Sequence, residues 1–304
     1  MINAKTFAMN YKYLFLLLFI FATFACKKDE TESKKEESAG PKLVFRMKMD
    51  PNQERLDGYG NISSVPAGHG AQTPDFKSIS AHYIELAPNA YTQVGDGEVV
   101  YHGPETTEGG STAVIFDQLK KVSHGEVVFS KPLSTVSPGE YNWVRVSVTY
   151  QNYDVEFSAN GHDLKGTISS FVGFNTYITS HTVKTKTVAV NGNKSQGYWA
   201  WETPAIGNYF PATTVEGQAP GTTVPNPLAA SSPIPTGSCL VTGGFATPFV
   251  ITGNETEDII IDLSFSVNNS FEWIDAAGND TFEPLDGDTV VDMGLRGLIL
   301  IVVQ

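Results

Sequence analysis

Three histidines in the first third of the chain are the residues whose type best suits metal chemistry. His69, His82 and His102 stand in PAGHGAQTP, AHYIELAP and VYHGPET, in loops or near the ends of predicted strands. Imidazole nitrogens bind copper and zinc, and three rings can form one site. Their spacing matches neither HxH nor HExxH, so the alternative is three unrelated surface or hydrogen-bonded histidines. They predict a copper site only if the fold brings them together.

An acidic segment near the C-terminus contains the oxygen ligands that calcium prefers. Asp275, Asn279 and Asp280 lie in the run DAAGND, and the overlapping AGNDTF resembles one unit of the nonapeptide calcium repeat. That family binds calcium by stacking many units, whereas this stretch is a single copy. The segment therefore predicts either a calcium site or an ordinary turn between two strands.

Aromatic residues are concentrated in the segment GYWAWE. If this segment is a strand, Trp199 and Trp201 share one face and Tyr198 lies on the other. Flat exposed rings can stack on a sugar, but aromatic side chains also fill the cores of β-sandwiches. The three residues therefore predict either a ligand-binding platform or core packing.

Catalytic motifs are not recognisable in this sequence. It contains no GxSxG elbow, no Walker loop and no GxGxxG turn, and no residue is predicted to be catalytic. Glycosidases use two carboxylates that are distant in sequence and meet only in the fold. A glycan-acting enzyme therefore remains one alternative, although we expect a protein without catalytic activity.

A short motif near the acidic segment suggests a covalent modification. The triplet Asp288-Thr289-Val290 resembles the three-residue O-glycosylation motif of exported Bacteroidota proteins. This resemblance makes Thr289 a candidate glycosylation site.

The N-terminal segment predicts export and lipid attachment. Lysines flank the start of an apolar run of about 13 residues, which is shorter than the ~20 that a transmembrane helix needs. The run ends in TFAC, which resembles a lipobox with Thr23 in place of the usual leucine. The resemblance implies that residues 1–25 are a signal peptide and that Cys26 carries lipid, which would hold the protein at a membrane. An uncleaved anchor is the alternative.

The residues after Cys26 predict a surface location. They begin KKDE, which resembles the charged signal that places Bacteroidota lipoproteins on the exterior face of the outer membrane. Residues 26–41 lack aromatic side chains, so they predict a flexible tether. If Cys26 is lipidated, Cys239 has no disulfide partner, since the chain has two cysteines.

The charge of the chain argues against nucleic acid as a partner. Its 304 residues carry a formal net charge of −13. Binding to phosphates requires a basic surface, which this composition does not indicate.

The body of the chain, residues 42–304, predicts an all-β fold. In EYNWVRVSVTY apolar residues alternate with polar ones, which is typical of a half-buried antiparallel strand. Asn160-Gly161 and Asn191-Gly192 are typical of hairpin turns. We therefore predict one antiparallel β-sandwich with Greek-key connections, interrupted by a proline-rich insertion at about 203–246. Two smaller sandwiches separated by that insertion are the alternative.

The body also resembles the MbnP-like β-sandwich lipoproteins. The similarity rests on KLVFRMKMDPN, SAHYIEL and VITGNETEDIIIDLSF and covers most of residues 42–304. It implies a β-sandwich and copper binding through histidines and an aromatic residue, without assigning particular residues here.

From these features we expect a surface-displayed lipoprotein that binds an extracellular glycan or protein through its loops, including 203–246. The alternatives are a lipoprotein that binds copper or calcium and a glycan-acting enzyme.

Overall fold

A computed structural model describes residues 40–57, 61–207, 211–219 and 240–303. They belong to one compact unit, Gly40–Gln304, and the all-β prediction is confirmed. The described strands are β1 (Lys42–Asp50), β2 (His69–Gln72), β3 (Asp75–Ala87), β4 (Glu98–His102), β5 (Glu105–Thr106), β6 (Ala113–Ile115), β7 (Val127–Pro132), β8 (Gly139–Ala159), β9 (His162–Phe171), β10 (Thr176–Thr182), β11 (Thr187–Lys194), β12 (Tyr198–Thr203), β13 (Thr213–Gln218), β14 (Leu240–Ile251), β15 (Ile259–Ser266), β16 (Phe271–Ile274), β17 (Thr289–Met293) and β18 (Leu298–Val303). Two short 3₁₀ turns, Phe116–Gln118 and Leu133–Thr135, accompany them.

Two sheets pack face to face and form the predicted sandwich. One has the strand order β18-β15-β1-β7, and the other has the order β13-β12-β9-β8-β3-β4, with β14 also paired to β8. Their facing side chains form the largest hydrophobic cluster, in which Phe45 and Phe265 of the first sheet meet Ile84 and Val146 of the second. Most strand pairs are antiparallel, as predicted, but β1 with β15 and β6 with β10 are parallel.

Strand β1 shows the physical basis of the period-two pattern, since one of its faces is buried in the core. Its apolar residues alternate with polar ones, and the apolar set is buried in the sandwich core. On the opposite face Arg46 and Lys48 each form an ion pair of 2.6 Å with Asp262 of β15. Because Asp262 is 1% exposed, its charge is balanced by these two strand neighbours rather than by water.

Two smaller sheets complete the described fold. One has the order β11-β10-β6-β5, and the other has the order β17-β16-β2. Residues 113–118 form β6 and a single 3₁₀ turn.

The two hairpin dipeptides behave differently. Asn160 and Gly161 have φ of 53° and 75° and join β8 to β9, so this hairpin prediction is confirmed. The prediction for Asn191-Gly192 is wrong, because both residues lie inside β11. There Asn191 has φ of 50° next to a register shift against β10, so the dipeptide forms a bulge.

The expected insertion at 203–246 contains strands. β13 and the first half of β14 lie within it, and β13 pairs with β12. Cys26 and Cys239 lie outside the described residues. Within the described ranges, no helix has the length and apolar character needed to cross a membrane.

Candidate metal centre and aromatic cavity

A cluster of two histidines and one glutamate forms where β3, β4 and β5 come together. His82 lies in β3, His102 is the last residue of β4 and Glu105 is the first residue of β5. Gly103, which follows His102, donates its backbone N–H to the carbonyl oxygen of His82 at 2.6 Å. A Cβ at position 103 would lie 3.3 Å from the Cα of His82, so glycine allows this close approach.

The three side chains have the spacing of a metal-ligand set. One ligand atom from each residue lies within 4.8 Å of the other two. The Oε1 atom of Glu105 is 3.3 Å from Nε2 of His102 and 3.9 Å from Nε2 of His82. Ligands at 2.0–2.1 Å from a tetrahedral metal are about 3.3 Å apart. The Glu105–His102 distance already has this value, and the Glu105–His82 distance exceeds it by about 0.6 Å.

His82 is held in a neutral, metal-binding form. It is 1% exposed, and Phe174 stacks on its ring at a centroid distance of 5.5 Å. Burial, and then the charge of nearby His102, lower the pKa of His82 to about 3. Its Nδ1 atom is buried without a hydrogen-bond partner. A neutral imidazole keeps a lone pair for a metal, and the rigid packing fixes the direction of the ring.

His69 lies in a different cluster. Its Nδ1 atom is 2.6 Å from Oε1 of Glu272, whose other carboxylate oxygen accepts hydrogen bonds from Arg55 and Arg296. Burial alone would raise the pKa of Glu272, but the hydrogen bonds from His69 and Arg55 and the arginine charges lower it. The structure thus brings His82 and His102 together with Glu105, and places His69 in a salt-bridge network.

Glu105 was not among the residues selected from the sequence. Its signal is the spacing His102-Gly-Pro-Glu105 directly after a strand, which places an imidazole and a carboxylate at the same edge. That signal is weak in isolation, because the position of His82 beside them depends on β3–β4 pairing.

The acidic segment forms a hydrogen-bonded loop. The carboxylate of Asp275 accepts the backbone N–H groups of Gly278 and Asp280, and the amide of Asn279 donates to Glu283. Neither Asp275 nor Asp280 belongs to the cluster of His, Cys, Asp or Glu ligands found in the described part of the chain. The geometry is that of a capped turn. Calcium binding there stays a prediction.

Tyr198, Trp199 and Trp201 lie in β12, and the predicted alternation of faces is present. Tyr198 is buried beside Phe171 and donates a hydrogen bond from its hydroxyl to Glu216. The two tryptophans lie on the opposite, half-exposed face. Trp201 packs edge-to-face on Phe157 at a centroid distance of 5.0 Å.

Each indole lies over a glycine of a neighbouring strand. A Cβ at Gly217 of β13 would lie 2.3 Å from the ring of Trp199, and one at Gly166 of β9 would lie 2.1 Å from the ring of Trp201. Only glycine leaves room for an indole to lie this close to the sheet. The sheet surface is therefore covered by two aromatic rings at this point.

A cavity of about 1440 Å³ adjoins these rings. Strands β9, β12 and β13 line it, together with residues of the segment from Phe282 to Arg296. Thr289, the candidate glycosylation site, is exposed at the start of β17 and lines the same cavity. Its modification stays a prediction.

The comparisons with known proteins give no relative. No protein-family model, no curated protein and no solved structure matches the chain.

Proposed function

We propose that this chain is a lipid-anchored surface protein that binds one transition-metal ion, copper(II), through His82, His102 and Glu105. The observation that carries the proposal is the convergence of three ligand atoms within 4.8 Å of one another. The expected role of a metal-binding lipoprotein, given above as an alternative, is the one that this geometry favours.

The donor set selects the class of metal. Two imidazole nitrogens and one carboxylate oxygen suit copper(II), zinc and iron(II), whereas calcium takes oxygen ligands alone. Among divalent first-row ions copper(II) binds a given nitrogen and oxygen site most tightly. The resemblance to the MbnP-like lipoproteins also favours copper. Calcium is not part of this proposal.

The location remains a proposal from the sequence. Lipid on Cys26 and the charged residues after it support attachment to the outer membrane with the folded body facing the exterior. A metal site in that position would meet metal ions outside the cell, before any cytoplasmic protein.

The test is copper loading of the full chain. We expect about one copper ion per chain after gel filtration, and an electron paramagnetic resonance spectrum with nitrogen hyperfine splitting from two imidazoles. His102→Ala should abolish stoichiometric loading. This variant should still fold, because the side chain of His102 is 48% exposed.

His162→Ala is the matched control. His162 is an exposed histidine at the start of β9, outside the cluster, and its loss should leave copper loading unchanged. Loading that persists in His102→Ala, or that disappears equally in both variants, would contradict the proposed site. Zinc that displaces copper at equal concentration would overturn the choice of metal.

A further inference from the structure

The lining of the cavity beside β12 is mostly apolar. The indoles of Trp199 and Trp201 line it, as do the side chains of Phe282, Val290 and Met293. A sugar ring has an apolar face for one indole, but its hydroxyls would then meet a mostly apolar lining and lose hydrogen bonds with water. This lining instead suits an aliphatic chain.

The size of the cavity agrees with a long ligand. Its volume of about 1440 Å³ exceeds the roughly 300–1,000 Å³ of typical sites for drug-sized molecules. The cavity opens past Val215 and Leu285, which are 56% and 67% exposed, so apolar side chains also line its rim.

One buried polar group lines this apolar cavity. Gln151 of β8 is 0% exposed, and its Nε2 atom donates to the backbone carbonyl of Met293. Its Oε1 atom is buried and has no hydrogen-bond partner. An unsatisfied buried acceptor costs about 1–3 kcal/mol, so a ligand that donates a hydrogen bond here would remove that cost. Hydroxyl and amide groups are such donors.

The charges around the cavity disfavour an anionic head group. Arg296 is the only arginine or lysine among the described residues that line it, and its guanidinium is already paired with Glu272 at 2.8 Å and Asp292 at 3.0 Å. A carboxylate would therefore meet an acidic neighbour without a free cation. A neutral head group avoids this repulsion.

We infer that the cavity binds a neutral amphiphile, a molecule with one long aliphatic chain and a hydroxyl or amide head that donates to Gln151. Monoacylglycerols are of this class. The inference is independent of the metal site, because it uses none of the copper-binding residues.

Photo-crosslinking of the full chain in membrane vesicles tests this inference. The probe is a monomyristoylglycerol analogue with a diazirine at the end of its acyl chain, and mass spectrometry locates the labelled residues. We expect label on the cavity side chains, such as Val290 and Met293, and displacement by unlabelled monomyristoylglycerol. Myristate, which has the same chain and a charged head, should compete about tenfold more weakly.

Val215→Lys and Val250→Lys form a matched pair of variants. Both valines are more than half exposed on strands, but only Val215 lines the cavity. Lysine at position 215 should reduce labelling about tenfold by placing a charge at the apolar rim, whereas lysine at position 250 should not change it. Gln151→Met should weaken competition by the glycerol ester about tenfold and leave that by myristate unchanged.

Three results would overturn the inference. They are labelling that Val215→Lys and Val250→Lys reduce equally, displacement by maltohexaose instead of the glycerol ester, and equal competition by myristate and monomyristoylglycerol. The second result would identify the cavity as a glycan site.

Discussion

Two clusters in this protein pair histidine with glutamate, and they differ in what balances the carboxylate. Glu272 is 4% exposed and is surrounded by Arg55, Arg296 and His69. Glu105 faces His82 and His102, of which His82 is held neutral by burial. The protein supplies cations to the carboxylate of Glu272. Beside the carboxylate of Glu105 it supplies the nitrogen lone pairs of imidazole rings. The cluster around Glu105 therefore suits a metal ion, and the cluster around Glu272 does not.

The largest expected effect comes from removing the negative charge of Glu272. Glu272→Gln should lower the free energy of unfolding by about 3–5 kcal/mol, because it leaves the buried guanidinium of Arg55 without its carboxylate. Chemical denaturation measures the change. A loss below about 1 kcal/mol would mean that water or another acid replaces Glu272.

The next largest expected effect is on copper affinity, which should differ between variants of the two clusters. His102→Ala should weaken copper(II) binding by on the order of 100-fold or more, whereas His69→Gln should leave the affinity unchanged. Competition titration with a chromophoric chelator measures both. An equal loss in the two variants would show that the histidines share a site in solution.

Acid should destabilise the cluster around Glu272, and the direction of the pKa shift of Glu272 determines the pH range in which this happens. Although burial by itself raises the pKa of Glu272, its partners lower it below the ordinary 4.5. A lowered folded-state pKa gives stability that is complete above 4.5 and is lost as the pH falls through the folded-state value.

Denaturation at a series of acidic pH values tests this direction. Glu272→Gln should show a shallower loss of stability than the unchanged protein as the pH falls below 4.5. Identical slopes in the two proteins would contradict a lowered pKa at this residue.

The smallest expected effect is that of Glu105→Gln on stability. This partly exposed carboxylate has no Arg or Lys ion-pair partner among the described residues, so we expect a change within about 0.5 kcal/mol without metal. The same variant should lose the stabilisation that copper gives to the unchanged protein. Thermal unfolding with and without copper measures both quantities.

Local patterns were enough to predict some of the strands. The alternation in β1 reflects one buried face. The segment Val144–Tyr150 of β8 was expected to be half-buried, but Arg145, Ser147 and Thr149 on its polar face are buried as well. The hairpin at Asn160-Gly161 could also be predicted, because its turn requires positive φ at both residues and Asn and Gly adopt it. Asn191-Gly192 has the same composition, yet there positive φ at Asn191 serves a bulge. The Asn-Gly dipeptide therefore indicates a residue with positive φ, but it does not show whether the chain reverses direction there.

The candidate sites depended on contacts that no local pattern contains. His82 meets His102 because β3 pairs with β4, and His69 meets Glu272 because β2 pairs with β16, across 203 residues. The two tryptophans were predictable as a pair on one face. Their contact with Gly217 and Gly166 was not, since it depends on the register of β12 between β9 and β13.

The parallel pairing of β1 with β15 has a consequence for how the chain acquires its fold. Arg46 is hydrogen-bonded to Asp262, 216 residues further along the chain, so this edge of β1 has no partner until most of the protein has been synthesised. Contacts of such long range make folding slow, because a large loop must close first. We expect the charges of Arg46 and Lys48 to oppose aggregation of this apolar strand during that interval.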